Sequence, residues 1–331
     1  MKLKISAKFG TLILGLMIFG QENGYAQKVD YSIVSVPEES GVEFVKITKH
    51  SDYVCMPEVR RIRGKIDWWS NCILAMDRKG EAIAYLSYRN NTTNVFIKRL
   101  DGQGGDVKRT NRSNVIDFSF SPDGEYLCFS EARGQLNQIF RTDAENGLVC
   151  RQITAGDRDF SPVYSQDMSQ IFFTRQETRG SSVWGFDVAN NFLSSYTQGM
   201  NPCPLKDEAA LLITRTNTSG RSEIWKVNYA TGAEECIVSN PERSFTSPII
   251  SPDGKYILLV GESCIRGEKI NYCNTDIFIC KIDGTEFSQL TYHAADDLSP
   301  IWSADGRYIY FISQRGDAQG VANIWRMTFN H

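Results

Sequence analysis

The residues able to do chemistry are few. Histidine occurs only at positions 50, 293 and 331. A multi-histidine metal site therefore has little support. No Gly-x-Ser-x-Gly elbow occurs, which removes a serine-hydrolase reading. Asp296-Asp297 and Asp157-Arg158-Asp159 place carboxylates close enough for acid–base or calcium chemistry. Neither has the spacing of a calcium loop, and both are expected to be solvated turns. Gly102-Gln103-Gly104-Gly105 reads as a hairpin turn rather than a phosphate cradle. His50 and His293 hold matching places in an internal repeat, which favours a turn-forming role. No catalytic residue, metal or organic cofactor is expected.

The nine cysteines stand at 55, 72, 128, 150, 203, 236, 264, 273 and 280. None forms a Cys-x-x-Cys pair, which weakens zinc and thioredoxin-like readings. Cys264 and Cys273 fall within one expected hairpin insertion and are the best disulfide candidates. Cys128 and Cys280 sit within strands and read as small apolar core groups.

The elements that would position any site come from repetition. Ser121-Pro122-Asp123-Gly124 precedes a short apolar strand, and the pattern returns at Ser251-Pro252-Asp253-Gly254 and Ser303-Ala304-Asp305-Gly306. Proline fixes φ in such a turn, Asp bonds its own backbone, and Gly accepts the exit geometry. A second signature, a polar residue, then Ile or Val, then an aromatic, centres on Val95, Ile139, Val183, Ile224, Ile277 and Ile324. The steps between these are 44, 44, 41, 53 and 47 residues. A third is a strand ending in Thr or Ser, at Thr110, Thr154, Thr197, Ser239 and Thr291. Six units of four short strands, with a period in the forties, predict an all-β six-bladed propeller.

Gly41-Val42-Glu43-Phe44-Val45-Lys46-Ile47-Thr48 matches the outer-strand pattern Gly284-Thr285-Glu286-Phe287-Ser288-Gln289-Leu290-Thr291. Residues 42–48 are therefore expected to supply the outer strand of the sixth blade and close the ring without an open sheet edge. Ahead of this, Lys2, Lys4 and Lys8 precede a short apolar run ending near Gly20, and Gly24-Tyr25-Ala26 suits a signal peptidase. The expected division is a signal peptide over 1–26, a lead segment over 27–40 and the propeller over 41–331. An uncleaved anchor or a tail without structure remains the alternative for the first segment. Cleavage removes three Lys and one Glu and takes the net charge from −3 to −5. That balance argues against nucleic acid or an anionic membrane surface as partner.

Ser247-Pro248-Ile249-Ile250-Ser251-Pro252-Asp253-Gly254 and Ser299-Pro300-Ile301-Trp302-Ser303-Ala304-Asp305-Gly306, followed by polar-Ile-Trp/Phe and Leu-Thr, resemble the WD-like repeat of the TolB family. The resemblance covers residues 40–331. It implies a periplasmic or secreted propeller that binds envelope proteins or peptides. Between Ala26 and Gly41 there is no room for the α/β domain that precedes the propeller in TolB.

The connections from each outer strand to the next inner strand form one face of a propeller. Here they gather Tyr53, Arg112, Asp157, Arg158, Arg243, Phe245, His293 and Asp296. A mixed-charge rim dotted with aromatics suits a protein or peptide. Residues 53–72 and the insertion Gly261–Thr275 break the period where binding loops are usually placed. The alternative is a carbohydrate-binding or carbohydrate-active propeller, such as a lyase or glycosidase. It would use aromatic platforms such as Trp68, Trp69 and Trp302 and a carboxylate pair in the channel.

Overall fold

The recurring turn folds the same way at each site. Ser121 Oγ donates to Asp123 and accepts the Tyr126 N–H at 2.9 Å, while Asp123 Oδ1 accepts the Glu125 N–H at 3.0 Å. Ser251, Asp253 and Tyr256 repeat the arrangement, as do Ser303, Asp305 and Tyr308. It also holds at Ser165 and Asp167, where Met168 takes the left-handed conformation (φ 60°) that Gly124 takes elsewhere (φ 75°). Each turn delivers the chain into an apolar strand.

The computed structural model describes residues 29–62, 65–69, 72–155, 158–266 and 271–329. The expected signal peptide and Asp157 lie outside the described residues. Strand β1 (Phe44–Lys46) comes first, then a hairpin of β2 (Val59–Ile62) and β3 (Lys65–Trp69). Blade 1 is β4 (Leu74–Met76), β5 (Ala82–Arg89), β6 (Thr92–Arg99) and β7 (Val107–Lys108). Blade 2 is β8 (Val115–Phe120), β9 (Tyr126–Arg133), β10 (Leu136–Asp143) and β11 (Cys150–Gln152). Blade 3 is β12 (Asp159–Tyr164), β13 (Gln170–Glu177), β14 (Gly180–Asp187) and β15 (Phe192–Gln198). Blade 4 is β16 (Met200–Pro204), β17 (Ala210–Thr216), β18 (Ser222–Asn228) and β19 (Glu234–Val238). Blade 5 is β20 (Phe245–Ile250), β21 (Tyr256–Arg266), β22 (Asn271–Lys281) and β23 (Ser288–Gln289). Blade 6 has β24 (Asp297–Trp302), β25 (Tyr308–Ser313) and β26 (Asn323–Thr328) from the end of the chain.

The fourth strand of blade 6 is β1, antiparallel to β26 with Phe44, Val45 and Lys46 opposite Met327, Arg326 and Trp325. The pairing continues past the strand, where Ile47 N–H donates to Ile324 C=O at 2.8 Å. Six four-stranded antiparallel blades thus close into a ring by the strand the repeat pattern singled out.

The third sequence signature has a specific job. Thr110, Thr154 and Thr291 each turn Oγ1 onto the N–H of Val95, Ile139 and Ile277, the central residues of the second signature. At the closure Thr48 does the same for Ile324, at 2.8 Å. These amides are buried, so each hydroxyl satisfies a donor that water cannot reach. Thr154→Val is expected to leave the Ile139 N–H without its 3.0 Å acceptor and to cost about 1–3 kcal/mol. Equilibrium unfolding in urea measures this; an unchanged midpoint would refute the assignment.

Four inner strands carry a bulge at a residue preceding proline. Ser161, Asn201, Ser247 and Ser299 stand at φ 53–55°, a region unfavourable for residues other than glycine. Cross-blade bonds hold them there. Asp117 Oδ2 accepts Ser161 N–H at 2.8 Å, Thr174 Oγ1 accepts Asn201 N–H at 3.0 Å, and Thr214 Oγ1 accepts Ser247 N–H at 3.3 Å. Ser299 Oγ accepts Ile73 N–H at 3.1 Å. Ser161, Asn201 and Ser247, with the prolines that follow them, line a cavity of about 130 Å³ at the centre of the ring. Among the described residues, no helix is long and apolar enough to cross a membrane.

Candidate functional site

The face formed by the outer-to-inner connections carries a groove of about 770 Å³ across blades 1–3. Its walls are apolar at Met56, Ile73, Leu86, Val115 and Phe160, and its rim is polar at Glu58, Asn137, Arg158 and Gln176. Parallel bridges Thr93–Asn114 and Asn137–Arg158 stitch its floor to the tips of the blade hairpins. Burial pushes the Cys55 thiol up to about 12 and Cys72 beside the channel up to about 11. Neither ionises at neutral pH, so neither supplies a nucleophile.

The rim residues named from sequence part company here. Arg158 is exposed on the groove, its backbone accepting Gln176 N–H at 2.9 Å. Tyr53 is exposed, and its carbonyl accepts the Tyr88 N–H at 3.1 Å. Tyr53 and Tyr88 are both exposed, and they flank the Val54–Ser87 bridge on the side away from the groove-lining Cys55 and Leu86. Arg112 sits elsewhere, its guanidinium 4.3 Å from the centre of the Phe140 ring. Arg243 is half-buried, 5.9 Å from the Phe278 ring.

The structure places the other three in the interior. Phe245 pairs with Gly261, and a Cβ at 261 would lie 2.7 Å from Phe245 and 2.6 Å from Phe278. The missing side chain is what lets Phe245 turn inward onto Phe278 and Phe287, with ring centres 5.3 and 5.1 Å away. His293 is buried, its Nδ1 accepting Ala295 N–H at 2.9 Å. Burial and the nearby Arg315 charge push its pKa down to about 4, so it is neutral at physiological pH. Asp296 accepts from the N–H and Oγ1 of Thr275 at 2.9 and 3.0 Å.

Among the described residues, the members of the acidic pairs expected to be solvated turns are buried instead. Asp159 and Asp297 are fully buried, and each opens an inner strand. Asp159 takes Arg175 at 2.7 and 2.9 Å, and Asp297 takes Arg315 at 2.5 Å. An arginine compensates each buried charge, Arg175 from the neighbouring strand β13 and Arg315 from the turn that follows β25. Arg315 also binds Glu39 of the lead segment at 3.0 and 3.1 Å, and both side chains are wholly shielded. Burial raises Asp297 to about 6 against the pull of Arg315, and burial together with the Asp297 charge raises Asp276.

A disulfide joins Cys264 and Cys273, which face each other across β21 and β22. Cys264 and Cys273 pack with Met56 and Val59, so the long blade 5 hairpin meets the β2–β3 hairpin over this face. Trp68 and Trp69 fall in β3, and Trp302 is buried core. The one grouping of metal-type ligands among the described residues is Glu262 with Cys264 and Cys273. Its sulfurs are consumed by the disulfide.

Known proteins agree with the architecture. A family model described as the TolB beta propeller domain matches residues 75–259. No curated protein matches the sequence. A protein assigned as TolB from Agrobacterium tumefaciens aligns over 88% of this chain and 98% of its own at 14% identity, with a TM-score of 0.60. An oligogalacturonate lyase from Vibrio parahaemolyticus aligns over 90% of this chain and 96% of its own at 12% identity, with a TM-score of 0.59. A gluconolactonase from Xanthomonas campestris aligns over 92% and 99% at 13% identity, with a TM-score of 0.57. At these identities the likeness is one of fold, which enzymes and non-enzymes share. With its family model spanning more than half the sequence, this chain belongs to the TolB beta-propeller domain family.

Proposed function

We propose that this propeller is exported and serves in the cell envelope as a non-enzymatic dock for a protein or peptide, held across the groove of blades 1–3. The observation that carries the reading is the groove itself, an apolar trough with a polar rim, with the exposed Tyr53 and Tyr88 each two residues along the chain from the lining residues Cys55 and Leu86. Aromatic side chains that a partner can bury beside an apolar trough are where protein interfaces concentrate their binding energy. Among the described residues Arg158 is the cationic side chain lining the groove, and it would pair with an acidic residue of the partner.

Capture from native envelope extract tests this. Arg158→Glu combined with Tyr88→Ala is expected to lower recovery of the partner about tenfold or more. Arg307→Glu, on an exposed turn at the opposite face, is expected to leave it unchanged. Equal recovery by all three proteins would remove the groove as the docking site.

The carbohydrate-active reading draws on the lyase and lactonase folds and needs a carboxylate pair at the channel. Asp117 lines both the groove and the channel, but its oxygens serve Ser130 and the Ser161 N–H. Turnover of an oligosaccharide panel by the purified protein would replace the docking reading with this one.

A further inference from the structure

A second concavity of about 310 Å³ lies in the seam between the outer strand of blade 1 and the outer half of blade 2, apart from the groove. Lys108, Arg109 and Arg112 line it, and no carboxylate does. Among the described residues, neither Lys108 nor Arg109 has an ion-pair partner, and Arg112 reaches Glu131 only at 3.9 Å. Glu131 is more closely engaged by Arg133, at 2.9 Å. Stacking on Phe140 fixes the Arg112 guanidinium.

Two buried polar atoms among these lining residues have no hydrogen-bond partner, Thr142 Oγ1 and Arg109 Nε. Thr142 is 2% exposed, so its hydroxyl lacks solvent as well. Orphaned groups of this kind are rare and costly, and two on one concavity mark a place where something else supplies the acceptor. Leu148 overhangs the mouth at 81% exposure, a large apolar side chain with nothing packed on it.

We propose that this seam binds a small organic anion, a phosphate monoester with a short apolar tail. The phosphate would take Lys108, Arg109 and Arg112 as charge partners and the Thr142 hydroxyl as a donor, and the tail would lie on Leu148. Three cations in a partly desolvated concavity favour a multiply charged oxyanion over a neutral ligand, and the volume fits a small molecule. The same chemistry is offered by a soluble phosphate monoester and by the head of phosphatidic acid.

Butyl phosphate and inorganic phosphate titrated into the full mature chain, followed by NMR, test the site. Saturable binding of butyl phosphate is expected. Lys108→Gln with Arg109→Gln should raise its Kd about tenfold or more, and Arg307→Gln should not. Thr142→Val should weaken binding without lowering Tm, because an unpartnered buried hydroxyl contributes nothing to the free fold. Leu148→Ser should weaken butyl phosphate and spare inorganic phosphate. Sedimentation with vesicles containing phosphatidic acid separates the sources. Retention that the Lys108/Arg109 variant loses assigns a lipid head, and soluble binding without retention assigns a free ester. Absence of both, or a Kd unmoved by the double substitution, overturns the proposal.

Discussion

Arg315→Met is expected to destabilise the protein by about 3–5 kcal/mol, among the largest effects of any single substitution. The guanidinium holds two carboxylates that arrive from opposite ends of the chain, Glu39 and Asp297, and none of the three side chains is exposed. It also lies 4.5 Å from the Phe44 ring and 5.2 Å from the Phe311 ring, so charge and packing depend on one residue. Methionine fills much of the volume but leaves two anions without compensation in a site shielded from water. The loss should shrink as pH falls. Asp297 has its pKa raised to about 6 even beside the arginine. Without it the folded state binds more protons than the unfolded chain, so acid favours the folded variant through that window. Denaturant unfolding at pH 8 and pH 5 measures both effects. A loss under about 1 kcal/mol at pH 8, or one that grows at pH 5, would contradict the buried-triad description.

A chain beginning at Lys49 is expected to lose about 5 kcal/mol or more, a large share of the stability of an ordinary domain. Truncation removes the strand opposite β26, the Ile47 N–H bond to Ile324, and the Thr48 hydroxyl that receives the Ile324 N–H. It also removes the lead segment, whose Tyr31 and Ile33 carbonyls accept the N–H groups of Asp317 and Gly316, both at 2.7 Å. Blade 6 is left with a bare edge, and bare edges recruit other chains. Broadened unfolding and concentration-dependent association are expected, with recovery when a synthetic peptide of residues 29–48 is added. The milder Ile47→Pro removes one ladder donor and should cost about 1–3 kcal/mol. A truncated chain that stays monomeric with an unchanged Tm would show that the ring does not need its N-terminal strand.

The ring was legible because most blades repeat the same local chemistry, the serine–aspartate turn in blades 2, 3, 5 and 6 and the threonine cap in blades 1, 2, 5 and 6. A serine and an aspartate two residues apart make the turn, and a threonine at the outer strand's end caps a buried amide. Both signals lie within about one blade, and the match of Ile47-Thr48 to Leu290-Thr291 carried the same rule across the ends. The disulfide-bonded cysteines were close in sequence and inside one hairpin. The Glu39–Arg315 pair was not legible, since its partners are 276 residues apart and only closure brings them together. A partial signal existed: an acid at the start of an inner strand and an arginine 16 or 18 residues later occur in blades 3 and 6. The rim was harder still. In register Phe245, opposite Gly261, corresponds to Asp159, opposite Arg175, while Arg158 stands one place earlier, and one residue along a strand turns the side chain to the other face. The groove depends on which connections stand side by side, and no local pattern encodes that.

Site-specific photo-cross-linking in living cells tests the docking claim most directly. A photoreactive side chain in place of Asn137, on the groove rim, is expected to yield a discrete protein adduct. The same group in place of Arg307, on the opposite face, is expected to yield none. An adduct from position 307 with none from 137 would contradict docking at the groove, and so would silence at both alongside rapid turnover of an oligosaccharide.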